Sequence, residues 1–283
     1  MKKTGLILEG GGNRGIFTAG VLDYLMEQNF YVPYVAGVSA GACNAVDYVS
    51  KQIGRTKQCM IITSDDKPTM SLRYLLEKRS LIDMERIFDY YPNEKFPFDF
   101  DSYFSSKTKC ELVVTNCRTG KAEYLDDRED KLRLMNIAKA SSSLPFVTPM
   151  IELDGEHYLD GGIADAIPIR RSLNLGYKKN IVILTREKGY RKVRSKGSEK
   201  LSVILYKEYP EIVKLLHYRH ILYNKTLDFV ERLEQEGHIY VIRPDEVIVS
   251  RTEKKMERME AFYKQGYEIA ERNFDKIKEY VGI

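Results

Sequence analysis

A short apolar run, Val32-Pro33-Tyr34-Val35-Ala36, leads straight into Gly37-Val38-Ser39-Ala40-Gly41, and small residues able to start a helix follow. Gly-x-Ser-x-Gly between a strand and a helix forces a sharp turn. Its glycines stand where a Cβ would collide with the neighbouring strand and helix. Its serine is held out of the backbone at the positive end of the next helix. That geometry suits a nucleophile; the same letters also fit a tight turn whose serine merely caps a helix.

The rest of the chain continues the strand–turn–helix rhythm. Residues 5–9 read as a buried strand. Gly10-Gly11-Gly12-Asn13-Arg14-Gly15 reads as a glycine loop, and Ile16, Ala19, Val21, Leu22 and Leu25 as one face of a helix. Strands are expected over 58–63 and 110–116, with an amphipathic helix over 72–91 between them and an irregular aromatic stretch over 96–104. A helix over 132–140 precedes a hairpin, 150–153 and 157–159, turning on Asp154-Gly155. A strand over 180–185 and a basic loop over 186–200 follow. From Leu201 the chain reads as helical, broken by one strand over 238–243.

This alternation predicts an α/β fold, a mostly parallel central sheet flanked by helices. The 283 residues suffice for one large domain or two small ones. The basic loop divides a core of residues 1–190 from a mainly helical C-terminal section, 191–283, expected to pack on it. Net charge is +4 with acids and bases interspersed, which makes no case for nucleic acid. The apolar run near the N-terminus, Leu6-Ile7-Leu8, is too short for a signal-peptide core, and no run is long enough to span a membrane. Cys43, Cys59, Cys110 and Cys117 form no Cys-x-x-Cys pair, so reduced thiols in a cytoplasmic protein are expected.

Three glycine-marked corners each follow a predicted strand. The first, Gly10 to Gly15, matches Gly-x-Gly-x-x-Gly, a dinucleotide signature. That reading needs an acidic residue closing the second strand to hold a ribose, and neither Asp nor Glu lies between Phe30 and Asn44. Successive amides at a helix N-terminus also hold an anion, including one that develops during reaction. One such oxyanion donor is worth about 3–4 kcal/mol in a transition state. A serine nucleophile needs a base. The four histidines, His157, His217, His220 and His238, stand at no glycine-marked corner, and His217 with His220 lack a convincing third metal ligand. Asp160 does stand at one, ending a strand and followed by Gly161 and Gly162. A partly desolvated carboxylate there can take the serine proton directly.

Gly-Gly-Gly-Asn-Arg-Gly, Gly-Val-Ser-Ala-Gly and Asp-Gly-Gly, in that order, resemble the patatin-like phospholipase family over roughly residues 4–185. The segment Ala140-Ser141-Ser142-Ser143-Leu144-Pro145 resembles the stretch ahead of that family's aspartate. The resemblance implies a patatin-like acyl hydrolase fold and a lipid ester as substrate, with no cofactor. It makes Ser39 the nucleophile, Asp160 the general base, and Gly10 to Gly12, with neighbouring amides of Asn13, Arg14 and Gly15, the oxyanion hole. Asp-Gly-Gly stands where many members have Asp-Gly-Ala. A nucleotide-binding protein using the first loop, and a non-catalytic member of the fold, are the competing readings.

Two stretches keep two readings each. The aromatic segment over 96–104, with Phe88, Tyr90 and Tyr91, suits either a wall for an acyl chain or a satellite core under a long loop. The basic loop holds seven Lys or Arg against Glu187 and Glu199. It suits either a solvated connector or peripheral contact with an anionic membrane.

Overall fold

The computed structural model describes residues 3–62 and 67–283. Its centre is one sheet of eight strands: β1 (Thr4–Leu8), β2 (Tyr34–Val38), β3 (Lys109–Asn116), β4 (Ala122–Leu125), β5 (Ile151–Leu153), β6 (Glu156–Asp160), β7 (Lys179–Ile183) and β8 (Ile239–Ile242). The strands β8, β7, β1, β2 and β3 run parallel in that spatial order. β4 and β6 pair antiparallel with β3, and β5 forms a hairpin with β6.

Helices fill the connections: α1 (Gly15–Glu27), α2 (Ala40–Val49), α3 (Arg55–Met60), α4 (Leu72–Lys78), α5 (Phe100–Ser105), α6 (Lys131–Ser141), α7 (Ile169–Asn174), α8 (Lys196–Leu205), α9 (Pro210–Gln235) and α10 (Met256–Val281). Parallel strands need such crossovers, and the helices cover both faces. Side chains alternate accordingly. Leu6, Leu8, Val35, Ile181 and Ile183 join one core with α1, α2 and α10. Ile7, Tyr34, Ala36 and Val182 join the other with α7 and α9. None of the helices among the described residues is long and apolar enough to cross a membrane.

The C-terminal section is built into this sheet. β8 extends it beside β7, and α10 lies on α1 at backbone contact. A Cβ on Gly20 would stand 2.0 Å from the Tyr263 carbonyl, and one on Gly266 2.1 Å from that of Phe17. At this seam the buried Asp23 accepts from the Tyr263 hydroxyl (2.8 Å) and the Gly54 amide (2.9 Å). Burial still pushes its carboxyl up to about 6, because desolvation outweighs the two bonds. A raised folded pKa means stability fully present below the ordinary carboxyl value near 3.8 and lost as pH rises through about 6. Asp23→Asn does not titrate. Its melting temperature relative to wild type should therefore climb between pH 4 and pH 7, as followed by circular dichroism. A difference that stays flat across that window would mean Asp23 ionises as easily folded as unfolded.

Several local readings are corrected. The apolar run at 58–63, expected as a strand, starts inside helix α3, and position 63 lies outside the described residues. Both edges of β2 are already taken by β1 and β3, so no slot for a strand remains beside it. The helix expected over 72–91 is broken. α4 ends at Lys78, Met70 pairs with Ile82, and a wide π-helical segment, Arg86–Lys95, carries Pro92. On α4, Leu72 and Leu76 are exposed, and the Leu75 side chain lies outside the described residues. The aromatic stretch is core: Phe98, Phe100 and Tyr103 are buried against one another, with Phe100–Ser105 as a short helix.

Candidate active site

The register of β3 brings two of the glycine-marked corners together. Leu112 to Thr115 pair with β4 along one edge. The opposite edge therefore carries β2 and then β6, end to end: Val38 lies opposite Val113, and Asp160 opposite Val114. β2 and β6 approach from opposite directions, so Ser39 and Asp160 leave their strands at neighbouring positions. Gly161 permits the approach, since a Cβ there would stand 2.2 Å from the Val113 carbonyl.

Ser39 adopts φ 57° and ψ −124°, a strained backbone for a residue with a side chain, and starts α2. The corner closes because Gly37 and Gly41 are in contact; a Cβ on Gly37 would meet the Gly41 carbonyl oxygen at 2.3 Å. The Ser39 amide donates to Ser141 Oγ (2.9 Å), which itself donates to the Val113 carbonyl (2.6 Å). Two residues on, the Ser143 carbonyl accepts from the Asp160 amide (2.8 Å). The end of α6 thus braces both corners. Sequence reasoning saw this serine run as a resemblance but not its bracing role, which depends on partners in β3, β2 and β6.

Asp160 is 2% exposed. Its Oδ1 accepts from the Gly162 amide at 2.7 Å, and among the described residues its Oδ2 has no hydrogen-bond partner. Thr115 Oγ1 donates to the Asp160 carbonyl (2.9 Å), fixing the turn from behind. Asp160 and Ser39 line the same cavity.

The glycine loop packs on the serine corner, where a Cβ on Gly10 would stand 2.8 Å from the Val38 carbonyl and 2.9 Å from Ser39 Cβ. Its amides divide into two groups. Asn13 donates to the Arg251 carbonyl (3.0 Å), Arg14 to that of Gly11 (3.4 Å), and Gly15 to that of Gly12. Among the described residues the amides of Gly10, Gly11 and Gly12 meet no acceptor. Asn44 ties the loop to the elbow by donating to the carbonyls of Gly15 and Ala40.

Two cavities meet at Ser39. One, of about 650 Å³, is mainly apolar and runs among Cys43, Met60, Ile82, Met84, Phe88, Met135 and Met259. Cys43 and Cys59 belong to this lining as neutral thiols, since burial pushes them up to about 11 and about 12. The other, of about 50 Å³, is small and charged. Arg14, Arg186, Lys192, Arg219 and Arg251 surround it with Glu9 and Asp160. None of the four histidines lines either cavity. His157 meets the Tyr209 hydroxyl, while His217 and His238 stand beside Glu199 and Glu236.

Part of the basic loop makes contacts within the protein. Arg191 pairs with Asp228 and Glu231, Arg194 with Glu199, and Arg186 and Lys192 line the charged cavity. These four cations are engaged within the protein.

The chain is similar to known proteins. The model for Patatin-like phospholipase matches residues 6–172, and that for a domain of unknown function, DUF6363, matches residues 209–282. The uncharacterized protein YjjU of Escherichia coli K12 is 31% identical over 187 residues, 64% of this chain and 51% of that protein, so the chain matches about half of its relative's length. The crystal structure of VipD from Legionella pneumophila aligns over 98% of this chain and 67% of that one, with a TM-score of 0.48 and 14% identity. All three glycine-marked corners fall inside the first matched region, which takes in more than half the chain, and the protein belongs to the patatin-like phospholipase family.

Proposed function

We propose that the protein is a serine lipid acyl hydrolase that cleaves carboxylic esters with a Ser39–Asp160 dyad. One observation carries the reading: a buried aspartate, its second oxygen unpartnered, lines the same cavity as a serine on a strained elbow. Asp160 Oδ2 takes the proton from Ser39 Oγ as that oxygen attacks the ester carbonyl carbon. The carbonyl oxygen becomes an oxyanion and meets the free amides of Gly10 to Gly12. Collapse expels the alcohol, which takes the proton back from Asp160, and leaves the acyl group on Ser39. Asp160 then deprotonates a water that attacks the acyl-enzyme. The fatty acid leaves, and the proton returns to Ser39. The apolar cavity suits the acyl chain, since acyl chains need a concave apolar lining.

The dinucleotide alternative gains no support. The position closing β2, where a ribose-binding acid would stand, is the serine elbow, and the Arg251 carbonyl lies across Gly12. A fluorophosphonate probe separates a working enzyme from a non-catalytic member, because it phosphonylates only an activated serine. Wild type should label at one site, with the adduct on the peptide containing Ser39, and Ser39→Ala should not label. Absence of labelling in a folded wild type, or equal labelling of Ser39→Ala, would refute the dyad.

A further inference from the structure

The small cavity beside Ser39 is lined by five cationic side chains and two carboxylates, a formal excess of three positive charges. Neither carboxylate neutralises them by contact. Glu9 is held by the Tyr223 hydroxyl and by the amide and hydroxyl of Thr185. Among the described residues the Asp160 carboxylate accepts only the Gly162 amide. Among the described residues none of the five cations forms an ion pair, in contrast to Arg191, which has two. Arg14 is 6% exposed, lines this cavity, and its Nε has no partner; Arg186 Nε is likewise without one. Burying unpaired charge is costly unless a counter-charge arrives.

The strain shows in the ionisation of the cluster. Burial, then repulsion from Arg219, pulls Lys192 down to about 7, although Glu9 and Asp160 oppose it and Arg251 adds to it. Burial, then Arg186, pulls Arg14 down to about 10. Lys192 stays in place because its ammonium lies over the Tyr223 ring at 4.0 Å and its backbone is clasped by Asn224. Arg219 is held by the Gly162 carbonyl at 3.2 Å, so its position is tied to the turn that carries Asp160.

Arg219, on α9, and Arg251, ahead of α10, belong to the C-terminal region 209–282, whose matching family model has no assigned function. We propose that this region is a head-group selector: with Arg186 and Lys192 it builds, beside Ser39, a subsite for a phosphate monoester carried by the acyl-ester substrate. The inference rests on the hydrolase reading and names its substrate class, acylglycerol phosphates with no further group on the phosphate. Charge points there: the net positive lining matches a dianion better than a zwitterionic head group. Guanidinium and ammonium groups are the standard partners of phosphate oxygens. The acyl chain then lies in the apolar cavity on the other side of Ser39, and the scissile ester spans the two.

The test has two arms. In the first, inorganic phosphate and glycerol 3-phosphate are titrated calorimetrically into full-length Ser39→Ala at low salt, with glycerol as control. Both phosphates should bind and glycerol should not, and adding Lys192→Met should weaken binding at least tenfold. In the second, kcat/KM is compared for a lysophosphatidate, a lysophosphatidylcholine and a monoacylglycerol of one chain length. Lysophosphatidate should lead, and Lys192→Met or Arg251→Gln should each cut its ratio to the monoacylglycerol at least tenfold, with circular dichroism confirming the fold. A wild-type ratio near one, or ratios unmoved by both substitutions, would overturn the subsite while leaving the hydrolase standing. Phosphate binding without any preference in hydrolysis would mark the pocket as a site for the free ion and also overturn it. Failure to turn over any ester would sink the hydrolase reading itself, and the assignment to substrate with it, even if phosphate still bound.

Discussion

Asp160→Asn should lower kcat/KM for ester hydrolysis by about a thousandfold or more while leaving the melting temperature nearly unchanged. The amide has almost the shape of the carboxylate. Its oxygen can still accept from the Gly162 amide, the one side-chain bond Asp160 makes. The change falls on the other position: Oδ2, which has no partner among the described residues, becomes an NH₂ that cannot take a proton. Ser39 would then attack as a neutral hydroxyl, and fluorophosphonate labelling should slow in parallel. The same argument predicts that His157→Ala, His217→Ala, His220→Ala and His238→Ala each keep substantial activity. If one of them lost a thousandfold without unfolding, a histidine would be the base and the dyad assignment would be wrong.

What the sequence showed, and what it hid, follows from how local each signal is. The three corners were legible because each needs particular residues at particular offsets. A serine at φ 57° needs a glycine on either side to let strand and helix touch, and the backbone around Asp160 can turn against Val113 only with glycine at 161. The charged pocket was not legible. Its cations come from the loop after β1, the loop after β7, α9, and the turn before α10, and they converge only in the folded chain. In sequence each is one of 45 Lys or Arg residues. The bracing role of Ser141 is hidden in the same way, since its partners are 102 and 28 residues away. Around residue 58 the signal was ambiguous, because a short apolar run does not distinguish a strand from a helix beside a cavity. The aromatic set divides between its two readings, Phe88 lining the apolar cavity and Phe98, Phe100 and Tyr103 forming core, for a different reason. Dense aromatics pack on one another as readily as on a ligand, and Phe98, Phe100 and Tyr103 do so under the surface.

Since those aromatics are core, selectivity for chain length should be governed from α2 and α3 instead. α2 turns Ala40, Cys43, Val46 and Asp47 toward the apolar cavity at the spacing of one helix face. At 1.5 Å per residue, Val46 stands roughly 10 Å along the helix from Ser39, about the reach of an eight-carbon chain. Beyond it Asp47, held by Arg55 (2.7 Å) and Thr56 (2.6 Å), makes the wall polar. Val46→Phe should therefore plug the channel at mid-depth. A short ester never reaches the plug, so kcat/KM for a four-carbon ester should change by less than about threefold. A sixteen-carbon chain reaches about eight carbons past the plug, and losing the burial of even half of them at about 0.8 kcal/mol per methylene costs about 3 kcal/mol, or roughly a hundredfold. Cys59→Phe, which plugs from the α3 wall, should reproduce the pattern without touching α2. The side chain of Val46 is already buried, so a melting temperature within a few degrees of wild type is needed to show that the new ring entered the cavity rather than the core. Equal losses on short and long esters in both folded variants would mean the acyl chain does not lie along α2.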